Sequence, residues 1–224
     1  MSGRTYRPTS GLASTLGGLL VVAACTSLLG AITCLVLSSQ LGTESALGTA
    51  QVIQYSCIAM MPVALLTGVL LLVWEYRSYA NLVAFGRDGL RFSPGWAVGS
   101  WFVPVAGVFL AKAAINDLYN ASSPSVRSGD TSWRGEPSPR RVNGWWLTAL
   151  SGYGLSFVAL AALTAAAEAG DVDGAKAGFA MFALAFVLGA RAAAHMRAVI
   201  RDITGRQSKL ADRLPTAALA ADVR

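Results

Sequence analysis

Three long stretches without a charged residue constrain this chain more than any other feature of its sequence. They run over Leu12 to Leu37, Gln51 to Trp74 and Trp145 to Ala167. A helix of about 20 residues crosses a hydrocarbon core of about 30 Å, so each stretch is long enough to span a membrane. Because lipid offers no hydrogen bonds to the backbone, a lone apolar run inside it must be helical. The first run is too long for the apolar core of a signal peptide, so we expect a retained span.

A fourth span begins at Ala177, but its charge-free part ends at Ala190. Such a short run cannot cross a bilayer, so the helix is expected to continue to about Ala198. Arg191 then lies one or two turns inside the boundary, where a long side chain can reach back to the interface. The sequence therefore predicts an all-α integral membrane protein with four transmembrane helices.

The basic residues indicate which ends of the spans face the cytoplasm. Seventeen of the 18 Lys and Arg residues precede span one, separate spans two and three, or lie at or beyond the C-terminal end of span four; Lys176 is the exception. Cytoplasmic segments of membrane proteins are enriched in these residues. Aromatic residues typical of the interface fall on the same side, namely Trp74, Tyr76, Trp145 and Trp146. We therefore expect a multi-pass protein of the cell membrane with both termini in the cytoplasm.

The charge-free segment from Phe92 to Ala111 allows three interpretations. It could cross the membrane as a fifth span, lie flat on the surface, or re-enter from the cytoplasmic side. Pro94 and Pro104 interrupt a helix, and a fifth span would move much of the positive charge to the outside. The sequence therefore predicts a re-entrant or interfacial element between spans two and three.

An amphipathic helix is predicted after Pro104, since proline is favoured in a first helical turn. One face would carry Val108, Ala111, Ile115 and Leu118, and another Lys112, Asn116 and Asn120. The segment from Ser122 to Arg141 is rich in Ser, Pro, Gly and Arg and offers almost nothing to bury. This composition is typical of a flexible linker, here on the cytoplasmic side.

These features divide the chain into five parts. They are a cytoplasmic N-terminus (1–11), the first two spans with the re-entrant and amphipathic element (12–120), the linker (121–143), the last two spans (144–200) and a basic cytoplasmic tail (201–224). The tail is predicted to be helical and to end before Pro215.

Arg191 and His195 are candidate binding residues because they are one helical turn apart at membrane depth. Ionisable residues there are costly and often functional. They could contact an anion, a lipid headgroup or a quinone headgroup. The alternative is a snorkelling arginine beside an interfacial histidine.

A second group of candidates lies on and after span two. Glu75 and Arg77 end that span, and Asp117 sits on the amphipathic helix. We hypothesise that one of these acids pairs with Arg191 beneath the Pro-Gly-Trp segment, with a solvated interfacial charge as the alternative. Trp96 and Trp101, which suit the headgroup zone, complete the candidate binding residues.

Most enzyme and nucleic-acid chemistries lack the residues they need. His195 is the single histidine, which excludes a histidine-rich metal site, and neither a G-x-S-x-G elbow nor a Walker loop occurs. The three cysteines, Cys25, Cys34 and Cys57, lie in apolar runs and are interpreted as small apolar fillers. The net charge of +6 comes without a nucleic-acid-binding motif. We therefore predict no metal, no cofactor, no nucleic-acid partner and no enzymatic activity.

Several short motifs resemble those of a known actinobacterial membrane family. They are Pro94-Gly95-Trp96, Trp101-Phe102-Val103-Pro104, Ile115-Asn116-Asp117-Leu118 with Ala121-Ser122, Trp145-Trp146, and Thr204 with Gln207. The resemblance is to the family catalogued as domain of unknown function 4328 and covers roughly Ala50 to Lys209. Members often carry Asn and Pro near Gly107 and Ala111, where this chain departs from the pattern. The resemblance implies a four-helix membrane domain and no activity.

The function expected from these features is that of a non-catalytic membrane subunit or scaffold. It would be oligomeric and would contact a partner protein or anionic lipid on the cytoplasmic side. Two small-xxx-small pairs, Gly95 with Gly99 and Gly152 with Ser156, suit either dimerisation or close packing of helices. The alternative function is binding or transport of a lipid-like or quinone-like molecule held in the helix bundle.

Overall fold

All regular structure in the described part of the chain is helical. The computed structural model describes residues 5–43 and 45–213. It contains α1 (Ser10–Gln40), α2 (Ser45–Ala84), α3 (Pro94–Gly99), α4 (Gly107–Ala121), α5 (Arg140–Ala169) and α6 (Val172–Ala211), with 3₁₀ turns at Ser100–Phe102 and Ser132–Gly135. No strand occurs among these residues. The predicted all-α class is therefore confirmed.

Four of these helices are long and apolar enough to cross a membrane, as the charge-free stretches predicted. Their candidate spans are Ser10–Gln40, Met60–Ala84, Arg140–Ala169 and Val172–Ala211. The helices extend beyond the charge-free runs, since α2 continues past Trp74 and α6 continues past Ala198. A charge-free run indicates how much of a helix the hydrocarbon core can cover. The helix itself can be longer, because polar residues also form helical hydrogen bonds. Arg4, Glu44 and residues 214–224, with Pro215, lie outside the described residues.

The contacts within the chain divide it into two compact units. Unit 1 comprises residues 1–18, 68–143 and 197–224, and unit 2 comprises residues 19–67 and 144–196. Helices α1, α2, α5 and α6 each contribute residues to both.

Within unit 2, small residues let helices approach closely. A Cβ atom added at Gly178 would lie 2.7 Å from Leu163 Cγ, and one at Gly152 would lie 3.4 Å from the carbonyl oxygen of Ala185. Gly152 therefore serves packing of α5 on α6 within the chain. Ala31, Cys34 and Ala183 form a buried apolar cluster beside Phe179, Phe182 and Phe186.

Within unit 1, helices α3 and α4 and the turn between them form a hairpin, defined here as residues 94–121. Pro94 occupies the first turn of α3, and Ser93 caps that helix by accepting a hydrogen bond from Trp96 N at 3.3 Å. Helix α4 starts only at Gly107, so the expectation that Pro104 lies in its first turn is wrong. A Cβ atom at Gly107 would lie 2.7 Å from the carbonyl oxygen of Ser100, which leaves no room for a larger residue.

The faces of α4 match the predicted pattern only in part. Ala111, Ile115 and Leu118 are buried as expected, but Val108 is 43% exposed. Asp117 lies on the buried face and is only 1% exposed. The spacing of apolar residues did not predict the burial of Asp117, because a carboxylate can be buried where hydrogen-bond donors surround it.

The segment predicted to have almost nothing to bury is packed into unit 1. Trp133 is only 2% exposed and Val126 only 9%. Arg87, itself buried, donates one hydrogen bond to the carbonyl oxygen of Val126 and another, of 3.2 Å, to that of Ser123. The interpretation from composition was wrong on this point, because one large aromatic residue and one arginine supply contacts that average polarity does not reveal.

Candidate functional site

The buried polar side chains of the described structure all belong to unit 1. They are Thr9, Glu75, Ser78, Asn81, Arg87, Ser100, Asp117, Ser122, Thr204 and Gln207. We call this set the polar core. Burying a polar group without a hydrogen bond costs free energy, so such a set persists only where its members find partners.

Gln207 connects several segments of the polar core. Its Nε2 donates to the carbonyl oxygen of Ser78 at 2.9 Å and to Ser122 Oγ at 3.2 Å. Its Oε1 accepts from Asn81 Nδ2 at 3.2 Å. Asn81 in turn exchanges hydrogen bonds with the backbone N–H and carbonyl of Arg7, at 3.0 and 2.9 Å. One amide on α6 thereby ties α2, the end of α4 and the N-terminal segment together.

Asp117 forms a second junction between α2, α4 and the loop that precedes α3. Its Oδ2 accepts from the Tyr79 hydroxyl at 3.3 Å and from the Arg91 backbone N–H at 3.2 Å. Its Oδ1 lies 3.4 Å from Arg91 Nε, completing an ion pair. Burial raises the pKa of Asp117, and the charge and hydrogen bonds of Arg91 and Tyr79 oppose that rise.

Glu75 and Trp101 form a third contact, between α2 and the turn Ser100–Phe102. Trp101 Nε1 donates to Glu75 Oε2 at 2.7 Å. Glu75 is fully buried, and its other carboxyl oxygen, Oε1, has no hydrogen-bond partner in the described structure. The neighbouring Trp74 is engaged separately, because its Nε1 donates to Thr204 Oγ1 at 3.1 Å.

Three of the seven candidate binding residues have side chains that make polar contacts within unit 1, namely Glu75, Trp101 and Asp117. Arg77 and Trp96 belong to the same unit but are exposed.

The other two candidates, Arg191 and His195, belong to unit 2. Arg191 is exposed, and the ring of His195 packs close to Gly144, where an added Cβ would lie 2.9 Å from its Nε2.

The hypothesis that an acid pairs with Arg191 is wrong for the described residues. Asp117 pairs with Arg91, and Glu75 accepts from Trp101. The physical reason is the course of residues 85–93. This loop places Arg91 beside α4, where its side chain pairs with the Asp117 carboxylate and its backbone N–H donates a hydrogen bond to it.

Sequence reasoning missed most of the polar core. Ser78, Asn81 and Tyr79 were not selected, although Glu75, Ser78, Tyr79 and Leu82 follow a spacing that places them on one helical face. All four are buried. A polar stripe at helical spacing, directly after a charge-free run, was therefore the available signal.

Comparison with family models assigns the chain to a known family. A family described as "Domain of unknown function (DUF4328)" matches residues 38–205, three quarters of the chain. The chain belongs to this family. No curated protein and no solved structure matches it. Trp101, Asp117, Ser122 and Thr204, which belong to the short motifs that resemble this family, all donate or accept hydrogen bonds in unit 1.

The chemistry available to the polar core is mutual hydrogen bonding. Its amide groups bond to one another, and its carboxyl groups accept from the indole of Trp101 and the phenol of Tyr79. Among residues 5–43 and 45–213, no group of three or more His, Cys, Asp or Glu residues could hold a metal ion. Cys25 is exposed and Cys34 is buried, while the side chain of Cys57 lies outside the described ones.

We expect Asp117 and Asp130 to make opposite contributions to the pH dependence of stability. Burial raises the pKa of Asp117 above its ordinary 3.8. Its contribution is therefore fully present below pH 3.8 and is lost as pH rises through its folded pKa. Hydrogen bonds from Ser132 lower the pKa of Asp130, so that contribution is lost as pH falls below 3.8.

The measurement is the thermal unfolding midpoint of the detergent-solubilised protein as a function of pH, compared with Asp117→Asn and Asp130→Asn. Relative to Asp117→Asn, the wild type should lose stability as pH rises. Relative to Asp130→Asn, it should lose stability as pH falls. Slopes of the same sign for both variants would contradict the assignment.

Proposed function

We propose that this DUF4328 protein is a non-catalytic membrane scaffold whose unit 1 lies at the cytoplasmic face and binds anionic lipid. The hairpin, residues 94–121, is its re-entrant or interfacial element. Four helices able to span a membrane supply the anchor. The polar core supports a structural rather than a catalytic role, because most of its side chains are hydrogen-bonded within unit 1.

The observation that carries this proposal is the exposed apolar tip of the hairpin. Phe102 is 71% exposed and Val105 is 84% exposed, and Trp96 on α3 is 59% exposed. Large apolar side chains grouped on a protein surface indicate a contact with another apolar phase. For a chain anchored by membrane spans, the nearest such phase is the bilayer itself. Aromatic residues such as Trp96 suit the headgroup level.

The backbone at the tip supports the same conclusion. Val105 has φ +60°, in the left-handed region that a β-branched residue rarely adopts. Such a conformation costs about 1–3 kcal/mol, and glycine would adopt it without strain. An apolar side chain that is 84% exposed is thus kept at this position despite the strain it causes.

The charge on unit 1 favours an anionic partner. Its exposed side chains include many basic residues, among them Arg77, Arg91, Arg127, Arg134, Arg201 and Lys209. Each Lys or Arg near an anionic membrane surface contributes about 1 kcal/mol of attraction. Phosphate groups of anionic lipids are therefore the ligand class that unit 1 would recognise while the apolar tip enters the acyl region.

We expect a fluorescent probe at the tip to enter the membrane when the protein is reconstituted. The probe, a polarity-sensitive dye, is attached to Val105→Cys after Cys25, Cys34 and Cys57 are replaced by alanine. In vesicles containing phosphatidylglycerol, its emission should shift to the blue and be quenched by nitroxides on the lipid acyl chains. The same dye at Ser208→Cys, an exposed polar position of unit 1, is the matched control and should remain in water.

Vesicles of phosphatidylcholine alone carry no net charge, so comparison with them separates the contribution of the apolar tip from that of the basic residues. Insertion that is stronger with phosphatidylglycerol, and that weakens with added salt, would support anionic lipid as the partner. A Val105 probe that stays in water in both membranes would refute the proposal. Shielding of the probe only when another protein co-purifies would indicate a protein partner instead. The oligomeric state of the scaffold is tested by its mass in mild detergent.

A further inference from the structure

We propose that Glu75 is a proton-binding site within unit 1, and that its neutral carboxyl group holds the turn Ser100–Phe102 against α2. This inference goes beyond lipid binding and does not rest on it. It follows from the geometry of one carboxyl group and of the charged groups around it.

The Glu75 side chain is completely buried within unit 1. Its exposed fraction is 0%, and it lies within the candidate span Met60–Ala84 of α2. Oε2 accepts one hydrogen bond, from Trp101 Nε1 at 2.7 Å. Oε1 is buried as well and has no partner in the described structure. An ionised carboxylate has about four acceptor positions, and here a single neutral donor serves them.

The cations of unit 1 that have carboxylate partners are paired with acids other than Glu75. On α2, Tyr79 lies one turn away and donates to Asp117 of α4, which is itself paired with Arg91. Arg77 points away from the interior, since its side chain is exposed.

Helix α6 leaves Glu75 without a cation as well. Asp202 pairs with Arg141, and the Arg206 guanidinium stacks 4.0 Å from the centre of the Tyr119 ring. Among the described residues, none of the ion pairs includes Glu75. The charge of an ionised Glu75 would therefore remain uncompensated.

Taking up a proton removes this problem with little change of geometry. A buried ionised carboxylate without a cation costs far more than a buried neutral acid. A proton from water bonds to Oε1, and Oε2 remains the carbonyl oxygen that accepts from Trp101 Nε1. The donor is a hydronium ion, whose O–H bond breaks to leave water. No other bond forms or breaks, and the charge on the carboxyl group falls from −1 to 0.

The same geometry couples the proton to the hairpin. When the carboxyl group ionises, its charge requires water, and water can reach Oε1 only if the packing around Glu75 loosens. Trp101 lies in the turn that leads to Phe102 and to the tip at Val105. Release of the proton should therefore loosen residues 94–106, whereas uptake of a proton should hold them against α2.

The direct test is infrared spectroscopy of the full-length protein in lipid vesicles, with ¹³C-labelled glutamate. At neutral pH we expect a carbonyl stretch of a protonated carboxylic acid that is absent from Glu75→Gln. Glutamine is matched to the neutral acid because its amide oxygen can accept from Trp101. Glu136→Gln, which changes an exposed carboxylate of unit 1, is the control and should retain the band.

Trp101→Phe provides an independent variant that keeps the acid. Losing the indole donor should move the band to higher frequency, because the carbonyl oxygen no longer accepts a hydrogen bond. The proposal is overturned if Glu75→Gln removes only the absorption of an ionised carboxylate at neutral pH. It is also overturned if the frequency of the acid band is unchanged in Trp101→Phe. This test does not involve lipid insertion, so it can fail while the anionic-lipid proposal stands.

The coupling is tested by amide hydrogen exchange of residues 94–106 at increasing pH, with Glu75→Gln measured in parallel to remove the intrinsic pH dependence of exchange. One proton released on opening predicts that the ratio of wild-type to variant exchange rates rises about tenfold per pH unit over the pH range in which the closed state holds the proton and the open state has released it. A ratio that stays constant with pH would show that the hairpin is not coupled to this proton.

Discussion

Replacing Gln207 by alanine should destabilise unit 1 by about 3–5 kcal/mol. The amide holds the carbonyl of Ser78, the hydroxyl of Ser122 and the amide of Asn81. A buried polar group left without its partner costs about 1–3 kcal/mol, and truncation also leaves a cavity. Because Gln207 is 0% exposed, water cannot replace the lost contacts without local opening.

Two further variants separate the causes of this loss. Gln207→Met keeps the volume but removes the hydrogen bonds, so it should retain most of the destabilisation. Ser208→Ala changes the adjacent exposed residue of α6 and should alter stability by no more than about 0.5 kcal/mol.

Amide hydrogen exchange in residues 74–82 provides the measurement, since about 1.4 kcal/mol corresponds to a tenfold change in the opening equilibrium. The expected acceleration with Gln207→Ala is therefore between about a hundredfold and a few thousandfold. Equal exchange in Gln207→Met and the wild type would show that packing, and not hydrogen bonding, accounts for the role of Gln207.

Replacing Trp133 by alanine should release the segment between α4 and α5. Its side chain is 2% exposed, and truncation of a buried tryptophan costs about 3–5 kcal/mol. Trp96→Ala is the matched control, because this tryptophan of the same unit is 59% exposed and its loss should cost little.

Limited trypsin digestion measures this release, since Arg127 and Arg134 lie within the segment. Trp133→Ala should be cut there at least tenfold faster than the wild type, while Trp96→Ala should be cut at the wild-type rate. Trp133→Phe tests a finer point. The indole Nε1 is buried without a hydrogen-bond partner in the described structure, so losing that donor should offset part of the lost volume. If Trp133→Ala resists trypsin as well as the wild type, its burial does not hold the segment.

The spans were predictable because they depend on a property of consecutive residues. A run such as Leu12 to Leu37 excludes water along its whole length, and the backbone inside lipid must then be helical. The interruption of residues 92–111 was predictable for a similar local reason. Proline removes one hydrogen bond from a helix interior and is disfavoured there, and α3 and α4 are separate helices in the structure.

The site was only partly predictable, because its contacts join residues distant along the chain. Glu75 and Asp117 were selected as ionisable groups near membrane spans, yet their partners Trp101 and Arg91 depend on how the hairpin folds back. Trp133 is likewise buried in a segment that tertiary contacts hold, since Arg87 at the end of α2 donates to the carbonyl oxygen of Val126.

The sequence alone determined that the chain has four helices able to cross a membrane, because hydrophobicity and helical hydrogen bonding act locally. Only the tertiary structure decided which polar groups meet. Gln207, Asn81 and Arg7 come from three distant parts of the chain, and their hydrogen bonds exist only once those parts are packed together. Hydrogen bonds reach about 3 Å and require a particular angle, so residue type and spacing along one helix cannot specify them.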